Sequence, residues 1–154
     1  HYNVFGGDEM KLLIQEKPDI QEIEVVIHCR EADKTIQRMS AALRAIDTSV
    51  TGSASGVIYQ LSLPEVLYFE SVNRKTFIYT DNRVFETNKR LYELEQELRN
   101  RTFFRASKAI VVNLCRTRSV QSEIGARLIL TMDNGEKIVV SRQYAGNIKR
   151  ALEV

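Results

Sequence analysis

The sequence predicts a mainly β protein with short helices, of the α+β class, in which small antiparallel sheets are joined to an N-terminal β-β-α extension. Three observations predict this class. Short segments with alternating apolar and polar residues recur between residues 57 and 140. Turn-forming residues such as Asp133-Asn134-Gly135-Glu136 separate these segments. Apolar residues at helical spacing are confined to a few short stretches.

The chain before residue 57 predicts two strands and one helix. Lys11–Ile14 and the β-branched Ile23–Cys29 have the composition of strands, and Pro18 interrupts the chain between them. From Asp33, a suitable N-cap, to Ile46 the apolar spacing changes to three and four residues, which is typical of a helix with one apolar face. We expect this face to pack on its own sheet or to bind a partner, and it consists of Ile36, Met39, Leu43 and Ile46.

These segments suggest four regions. Residues 1–9 precede Met10, lack periodicity and are interpreted as a leader that is disordered or foreign to the natural protein. Residues 10–46 form the extension. Residues 47–56 are small and polar with two glycines and are predicted to be a linker, since they lack the Gly-Lys-Ser/Thr ending of a phosphate loop. Residues 57–154 form the main domain.

The sequence of the main domain predicts short hairpins, one internal helix and a final helix. Asn134-Gly135 predicts a type I′ turn, because both residues readily adopt positive φ. Glu93, Glu95 and Glu97 are expected on a solvated face, since carboxylates two residues apart on a helix point in different directions. The predicted strands are Val57–Leu63, Val66–Glu70, Thr76–Thr80, Val84–Glu86, Ile110–Val112, Arg127–Met132 and Lys137–Val140, and the predicted helices are Thr87–Leu98 and a short segment after Tyr144.

Composition disfavours several classes of protein. No apolar run approaches the length of a membrane span, and two cysteines give no disulfide framework, so we expect a cytoplasmic protein with reduced, mostly buried thiols at Cys29 and Cys115. No Cys-x-x-Cys occurs and the histidines are His1 and His28, so no metal site is expected. We find no convergent acid, base and nucleophile, and therefore expect neither an enzyme nor a cofactor.

Positive charge is concentrated in the second part of the chain. Residues 1–63 hold six Lys/Arg and nine Asp/Glu, whereas residues 64–154 hold 16 and 11. The stretch 99–122 has no acidic residue and contains the strand candidate Ile110-Val111-Val112. A cationic segment on a rigid β framework suits the phosphate backbone of nucleic acid. Its basic residues are Arg99, Arg101, Arg105, Lys108, Arg116 and Arg118.

The same stretch carries a recognisable motif. Phe103-Phe104-Arg105-Ala106-Ser107-Lys108-Ala109-Ile110-Val111-Val112-Asn113 resembles the "F-x-R-x-H-R-S-y-x-V-N" core of the LytTR family, the DNA-binding domains of bacterial transcription regulators. Asp133–Glu136 and Ser141-Arg142-Gln143-Tyr144 fit the closing hairpin and the "S-R-x-Y" segment of that family. The resemblance covers about residues 57–152. It implies a small antiparallel β fold that binds double-stranded promoter DNA through loops inserted into major grooves.

Three loops are implicated by this resemblance. They contain Asn73, Arg74 and Lys75; Ser107 and Lys108; and Arg142. Arg142 is expected to contact guanine, Lys108 a base or a phosphate, and Arg105 either to be structural or to reach a phosphate. The chain departs from the family at Ser107 and Ala109, where His and Ser are usual, so base preference at Ser107 is open. Asn113 is expected to cap a strand end, and Arg99 and Arg101 to be solvated.

The resemblance also implies partners. Short regulators of this layout, without a receiver domain, resemble those paired with a small membrane inhibitor protein and bind paired promoter repeats as homodimers. Ile36, Met39, Leu43 and Ile46 are the candidate dimer or inhibitor surface. The alternative function is a protein-interaction module whose basic face binds an acidic protein or a membrane-associated partner. Target sequence, inducing signal and the direction of regulation stay open.

Overall fold

The computed structural model describes residues 2–6, 10–46, 49–98 and 102–153. Contacts divide the chain into two compact units, His1–Glu31 and Ala32–Val154, which we call unit 1 and unit 2.

Unit 1 contains one hairpin, in which β1 (Tyr2–Gly6) pairs antiparallel with β2 (Lys11–Gln15). The predicted strand at Lys11–Ile14 is confirmed, and residues 2–6 of the expected leader are its partner strand. The predicted strand Ile23–Cys29 is wrong, because these residues have no regular structure and Ile23 is 94% exposed. β-branched composition favours a strand only where a partner strand and a covering layer exist. Cys29 is consequently exposed, against the expectation of burial.

Unit 2 begins with α1 (Lys34–Ile46), whose predicted N-cap is confirmed: the Ile36 N–H donates to Asp33 Oδ1 over 3.1 Å. The helix lies against a single 3-10 turn, Leu63–Glu65. Ile36 and Met39 are half-buried and Leu43 is 36% exposed, while the side chain of Ile46 lies outside the described part. The contacts therefore group this helix with the domain that follows it.

A seven-stranded antiparallel sheet forms the centre of unit 2, in the order β4-β3-β7-β6-β5-β9-β8. The predicted linker 47–56 is wrong for its central part, because Ser49–Ala54 is a strand. A Cβ atom on Gly52 would lie 2.8 Å from Phe85 Cβ, so this glycine permits close strand approach instead of flexibility. The strands are β3 (Ser49–Ala54), β4 (Val57–Ser62), β5 (Tyr68–Val72), β6 (Lys75–Tyr79), β7 (Val84–Thr87), β8 (Phe103–Ser107) and β9 (Ile110–Asn113).

Both faces of the central strands are buried. On β5 and β9, Phe69 and Val111 belong to one core, which α2 (Leu91–Glu97) covers with Leu91 and Leu94. Helix α2 begins four residues later than predicted, since β7 extends through Thr87.

The opposite face carries Tyr68 and Val112 and is covered by a second sheet and α3 (Arg142–Leu152). The second sheet has the order β10-β11-β12 and comprises β10 (Thr117–Glu123), β11 (Arg127–Met132) and β12 (Lys137–Val140). Leu128, Leu130 and Met132 point into this core from β11. The period-2 pattern seen in the sequence therefore reports burial directly.

The turn between β11 and β12 corrects one prediction. The Gly135 N–H donates to the Met132 carbonyl over 2.9 Å, and Gly135 has φ 90°, whereas Asn134 is not in the positive-φ region. A type I′ turn needs positive φ at both central residues. The loop is a three-residue connection closed by a left-handed glycine.

Within the described residues, no helix is long and apolar enough to cross a bilayer, and no group of three acidic, His or Cys side chains is arranged to hold a metal ion.

Candidate nucleic-acid interface

Two hairpin turns leave the seven-stranded sheet at the same end. β5 and β9 are antiparallel neighbours with Glu70 opposite Ile110, and the Ser71 N–H donates to the Ala109 carbonyl over 2.8 Å. The β5–β6 turn and the β8–β9 turn therefore lie side by side, about two strand spacings or ~10 Å apart. We call this region the turn end.

The β5–β6 turn contains Asn73 and Arg74, which connect Val72 to its pairing partner Lys75. Both have positive φ, 50° and 67°, as a two-residue type I′ turn requires. Asn tolerates this conformation, whereas for Arg it costs about 1 kcal/mol. All three predicted residues of this loop are exposed, and Lys75 Nζ lies 3.8 Å from a carboxylate oxygen of Glu86.

The β8–β9 turn is held from beneath by Arg105. Its Nε donates to the Ser107 carbonyl over 2.8 Å and its Nη2 to the Lys108 carbonyl over 2.6 Å, while Nη1 pairs with Glu95 at 3.3 Å. The Arg105 side chain is only 17% exposed. Three nitrogens of Arg105 therefore donate within the fold, as its expected structural role requires.

Ser107 also serves the turn, since its hydroxyl oxygen accepts the Ala109 N–H over 3.2 Å. The shorter side chain that replaces the usual family histidine closes the loop locally. Lys108 itself is exposed.

A β-bulge brings Arg142 to the same place. The register of β8 against β9 shifts between Arg105 and Ser107, which leaves the Ala106 carbonyl directed away from the ladder. The Ser141 N–H donates to that carbonyl over 2.9 Å. Because Ser141 is the N-cap of α3, this bond fixes the first residues of the helix beside the β8–β9 turn.

Lys108 and Arg142 consequently line one open groove of about 700 Å³. Gln143 lies in the same groove, and no feature of the sequence apart from its position next to Arg142 indicated it. The groove also has a helix N-terminus, whose N–H groups favour anions. Its lining residues are Ser107, Lys108, Ala109, Ser141, Arg142 and Gln143.

A second cleft adjoins the first through Ser107 and Ser141 and contains Arg127 and Lys137, two cationic residues that the sequence analysis did not select. The Tyr68 hydroxyl donates to Glu136 Oε2 over 2.6 Å on its floor. Burial, then the hydrogen bond and charge of Glu136, raise the pKa of Tyr68 strongly. The ring of Tyr79 stacks on Tyr68 at 4.4 Å, and burial together with the hydrogen bond to Glu70 raises the pKa of Tyr79.

Arg116, from the same basic stretch, lies at the opposite end of the sheet. Its guanidinium donates to both carboxylate oxygens of Asp81 at 2.7 and 2.8 Å, to Asp133 at 2.9 Å and to the Pro64 carbonyl at 2.9 Å. Burial lowers the pKa of Arg116, but the hydrogen bonds to Asp81 and Asp133 outweigh it and the net shift is upward. This arginine joins three connections of the fold.

Asn113, at the end of β9, is 1% exposed. Its amide donates to the Val66 carbonyl over 2.9 Å, and its Oδ1 accepts from Thr102 and from the Cys115 N–H. The prediction that Asn113 caps a strand end is confirmed.

The structure therefore brings together Asn73, Arg74, Lys75, Ser107, Lys108 and Arg142 at one end of unit 2, with Arg105 beneath them. Arg99 and Arg101 lie outside the described residues. The stripe Ile36, Met39 and Leu43 is on a different element, α1, against the 3-10 turn.

Comparison with known families decides what kind of domain this is. The model of the LytTr DNA-binding domain matches residues 56–153. The chain belongs to the LytTR family. Unit 2 thus contains a LytTR DNA-binding domain preceded by helix α1.

The LytTR domain has a structural counterpart in the LytTr DNA-binding domain of a putative methyl-accepting/DNA response regulator from Bacillus cereus. The superposition has a TM-score of 0.66 at 24% identity and covers 70% of this chain and 98% of that chain. It confirms the mainly β fold.

Full-length relatives also match this LytTR protein. An uncharacterized HTH-type transcriptional regulator of Staphylococcus aureus strain COL is 26% identical over 147 residues, which is 94% of this chain and 99% of that protein. One from strain MW2 is 27% identical over 135 residues, 86% of this chain and 91% of that protein. In the part of this chain that the structure describes, strands separate each α-helix from the next, so no helix-turn-helix pair is formed.

Proposed function

We propose that this LytTR protein is a sequence-specific regulator of transcription that binds double-stranded promoter DNA with its turn end, in the bacterial cytoplasm. The single observation that carries the proposal is the groove shared by Lys108 and Arg142. Two exposed cations from distant parts of the sequence are held beside a helix N-terminus, without an acidic residue in the lining. Such a surface suits phosphates and the acceptor-rich edge of guanine.

The shape of the turns supports insertion into major grooves. Each turn is the tip of a two-stranded ribbon, and a major groove about 12 Å wide admits such a ribbon. Arg142 and Gln143 offer the side chains that pair with guanine and adenine, while Arg74 and Lys75 at the flank offer phosphate contacts.

The arrangement predicts a division of labour among these residues. Arg105 positions the Lys108 turn and does not itself contact DNA. Ser107 stabilises the β8–β9 turn. Because its side chain is shorter than the histidine that is usual in the family, it does not reach as far toward DNA. Base reading then rests on Arg142, Gln143 and Lys108.

The experiment is a selection from random duplex DNA followed by affinity measurements on the enriched sequence. Lys108→Ala and Arg142→Ala should each weaken specific binding by about 1–3 kcal/mol. Arg118→Ala is the matched control, because Arg118 is exposed and lies in the same basic stretch but follows Arg116 at the opposite end of the sheet. Equal losses for all three variants would mean that general charge, and not the turn end, determines binding.

The selection also separates the alternative function. A basic face that binds an acidic protein or a membrane-associated partner would enrich no DNA motif.

We further propose that two copies act on paired promoter repeats as a homodimer. The small membrane inhibitor protein stays a prediction, for which copurification with the product of a neighbouring membrane-protein gene is the test.

A further inference from the structure

The edge strands of unit 2 differ in how they are protected against pairing with a strand of another molecule. An exposed edge presents unpaired N–H and C=O groups, and proteins usually block it with charges, bulges or covering elements. Strand β8 has the bulge and Arg105, β10 has a bulge before Ser119 and carries Arg118, and β12 begins with Lys137 and lies against β8.

Strand β4 (Val57–Ser62) lacks the charges and bulges of these strands, and among the described residues it pairs with β3 alone. Its sequence, VIYQLS, contains no charge and no proline, and its register against β3 runs without a bulge. Val57 is 50% and Ile58 is 74% exposed. This edge is therefore suited to pair with another strand.

The turn before β4 determines which backbone groups point outward. Ser55 and Gly56 have φ 51° and 78° and form a two-residue turn closed by Ala54 and Val57. The closing residues of such a turn exchange hydrogen bonds, so Val57 and every second residue after it face β3.

The residues between them face the open edge with their N–H and C=O groups. Of these, Ser62 has its N–H satisfied within the chain, because it donates to Glu65 Oε2 over 3.3 Å. The Ser62 carbonyl also faces outward, at the end of the strand, while Ile58 and Gln60 present two N–H and two C=O groups at its centre.

We propose that β4 pairs antiparallel with β4 of a second copy about a two-fold axis at Tyr59. In this register Ile58 of one copy faces Gln60 of the other, and the four outward groups of these two residues are matched in each copy. Tyr59 faces its own counterpart at a position where Cα atoms lie about 4.5 Å apart.

The chemistry of the strand favours a second copy as the occupant. A strand paired with itself places its charges near identical charges, which is unfavourable, and β4 has none. The nearby Arg83 guanidinium lies over the Tyr59 ring at 4.7 Å and over Phe85 at 4.9 Å. Because Phe85 is on β7, two strands into the sheet, this charge lies on the side of Tyr59 away from the edge.

Sheet twist makes the pairing compatible with one DNA duplex. Neighbouring strands rotate by about 20–25°, so strand direction turns by about 80–100° over the four steps from β4 to β5. The turn ends of both copies then point to the same side along the two-fold axis. Only this step rests on the proposed function; the interface itself does not require DNA.

The test compares oligomeric state by light scattering across protein concentration. Wild type should dimerise, and Ile58→Lys should raise the dimer dissociation constant about tenfold or more, since a charge is placed on the edge. Ile124→Lys is the matched control, because Ile124 is 93% exposed in the β10–β11 turn, and it should leave dimerisation unchanged. A monomeric wild type, or a dimer insensitive to Ile58→Lys, overturns the proposal.

Disulfide trapping tests the register. In a Cys29→Ser, Cys115→Ala background, Tyr59→Cys should form an oxidised dimer, because cysteines facing one another across the axis lie within disulfide range. Gln60→Cys faces Ile58 and should form far less. Preferential trapping at position 60 would contradict the register. DNA binding to a single half-site by Ile58→Lys separates a failed interface from a failed DNA-binding function.

Discussion

Arg105 and Lys108 are three residues apart, but Arg105 bonds within the fold whereas Lys108 is exposed to solvent. Arg105 is enclosed by the carbonyl oxygens of Ser107 and Lys108 and by Glu95, so its donors are spent within the fold. Lys108 lies in the turn that Arg105 stabilises and is exposed. The net charge of a segment therefore does not say which of its cations reaches a ligand; that depends on where backbone acceptors lie.

Arg74 allows the effect of a residue on folding stability to be separated from its effect on DNA binding. Its positive φ is strained for any residue with a Cβ. Arg74→Gly should raise the free energy of unfolding by about 0.5–1 kcal/mol and lower the salt dependence of DNA binding by about one phosphate contact. Urea unfolding and affinity across a salt series measure the two effects.

Ser55→Gly is the control for Arg74→Gly, since Ser55 has φ 51° in the analogous turn before β4. It should bring a similar gain in stability without a change in DNA binding. A loss of salt dependence in both variants would remove Arg74 from the interface.

Tyr68 predicts a pH dependence of stability. Its raised pKa means that the folded state favours the neutral phenol. The stabilisation by its hydrogen bond is complete below the ordinary tyrosine pKa of about 10 and is lost as the pH rises above it. Tyr68→Phe should cost about 1 kcal/mol at pH ~8, and the difference from wild type should shrink above pH ~10. Tyr92→Phe, at a 59% exposed tyrosine, should show no such trend in urea unfolding.

At the scale of elements, the proposed interface depends on the junction of β8 with α3. The bulge at Ala106 turns one carbonyl outward, and the Ser141 N–H binds it. Neither Ala106 nor Ser141 is charged, but the hydrogen bond between them places Arg142 beside Lys108. The loops are therefore placed by the sheet and not by their own sequence.

Ser141→Pro breaks this bond. Ser141 has φ −71°, which proline adopts, but proline lacks the N–H and the hydroxyl that both donate to the Ala106 carbonyl, and its ring carbon pushes that carbonyl away. We expect DNA binding to weaken by about 1–2 kcal/mol, as for loss of a positioning hydrogen bond. Ser141→Ala keeps the N–H and should bind almost as wild type. Fluorescence anisotropy on the selected duplex measures both, and equal affinities would show that the junction does not position Arg142.

The sequence predicted seven strands of the main domain because alternation directly reflects burial, as in β11, but it did not predict β8 or β10 as strands. It did not predict β3, whose small residues look like a linker until the approach of Phe85 to Gly52 is known. It predicted Ile23–Cys29 as a strand from composition alone, although these residues pair with no strand in the described part of the chain. At the site, motif resemblance selected Lys108 and Arg142, whereas Gln143, Arg127 and Lys137 became visible only when the fold brought their elements together.

At the scale of the whole molecule, the boundary between units lies earlier than the sequence suggested. Helix α1 belongs to unit 2 and contacts the 3-10 turn Leu63–Glu65, which lies within the LytTR domain. Unit 1 contains the β1–β2 hairpin, whose β2 is exposed, and a two-stranded hairpin by itself is marginally stable.

A chain that starts at Ala32 should therefore fold and bind DNA with nearly wild-type affinity. A chain that starts after Ile46 loses α1 and should unfold at lower urea concentration, since the apolar face beneath the helix is exposed. Urea midpoints and DNA affinity of the two truncations check this. Equal stability of both would mean that α1 adds nothing to the domain.

Hydrogen exchange of the full chain, with and without the selected duplex, tests the central claim most directly. We predict protection on DNA binding at residues 73–75, 107–109 and 141–143. The turns at the opposite end of the sheet, residues 80–83 and 133–136, should exchange unchanged. Protection of the opposite end, or of neither end, would contradict a DNA interface built from Lys108 and Arg142.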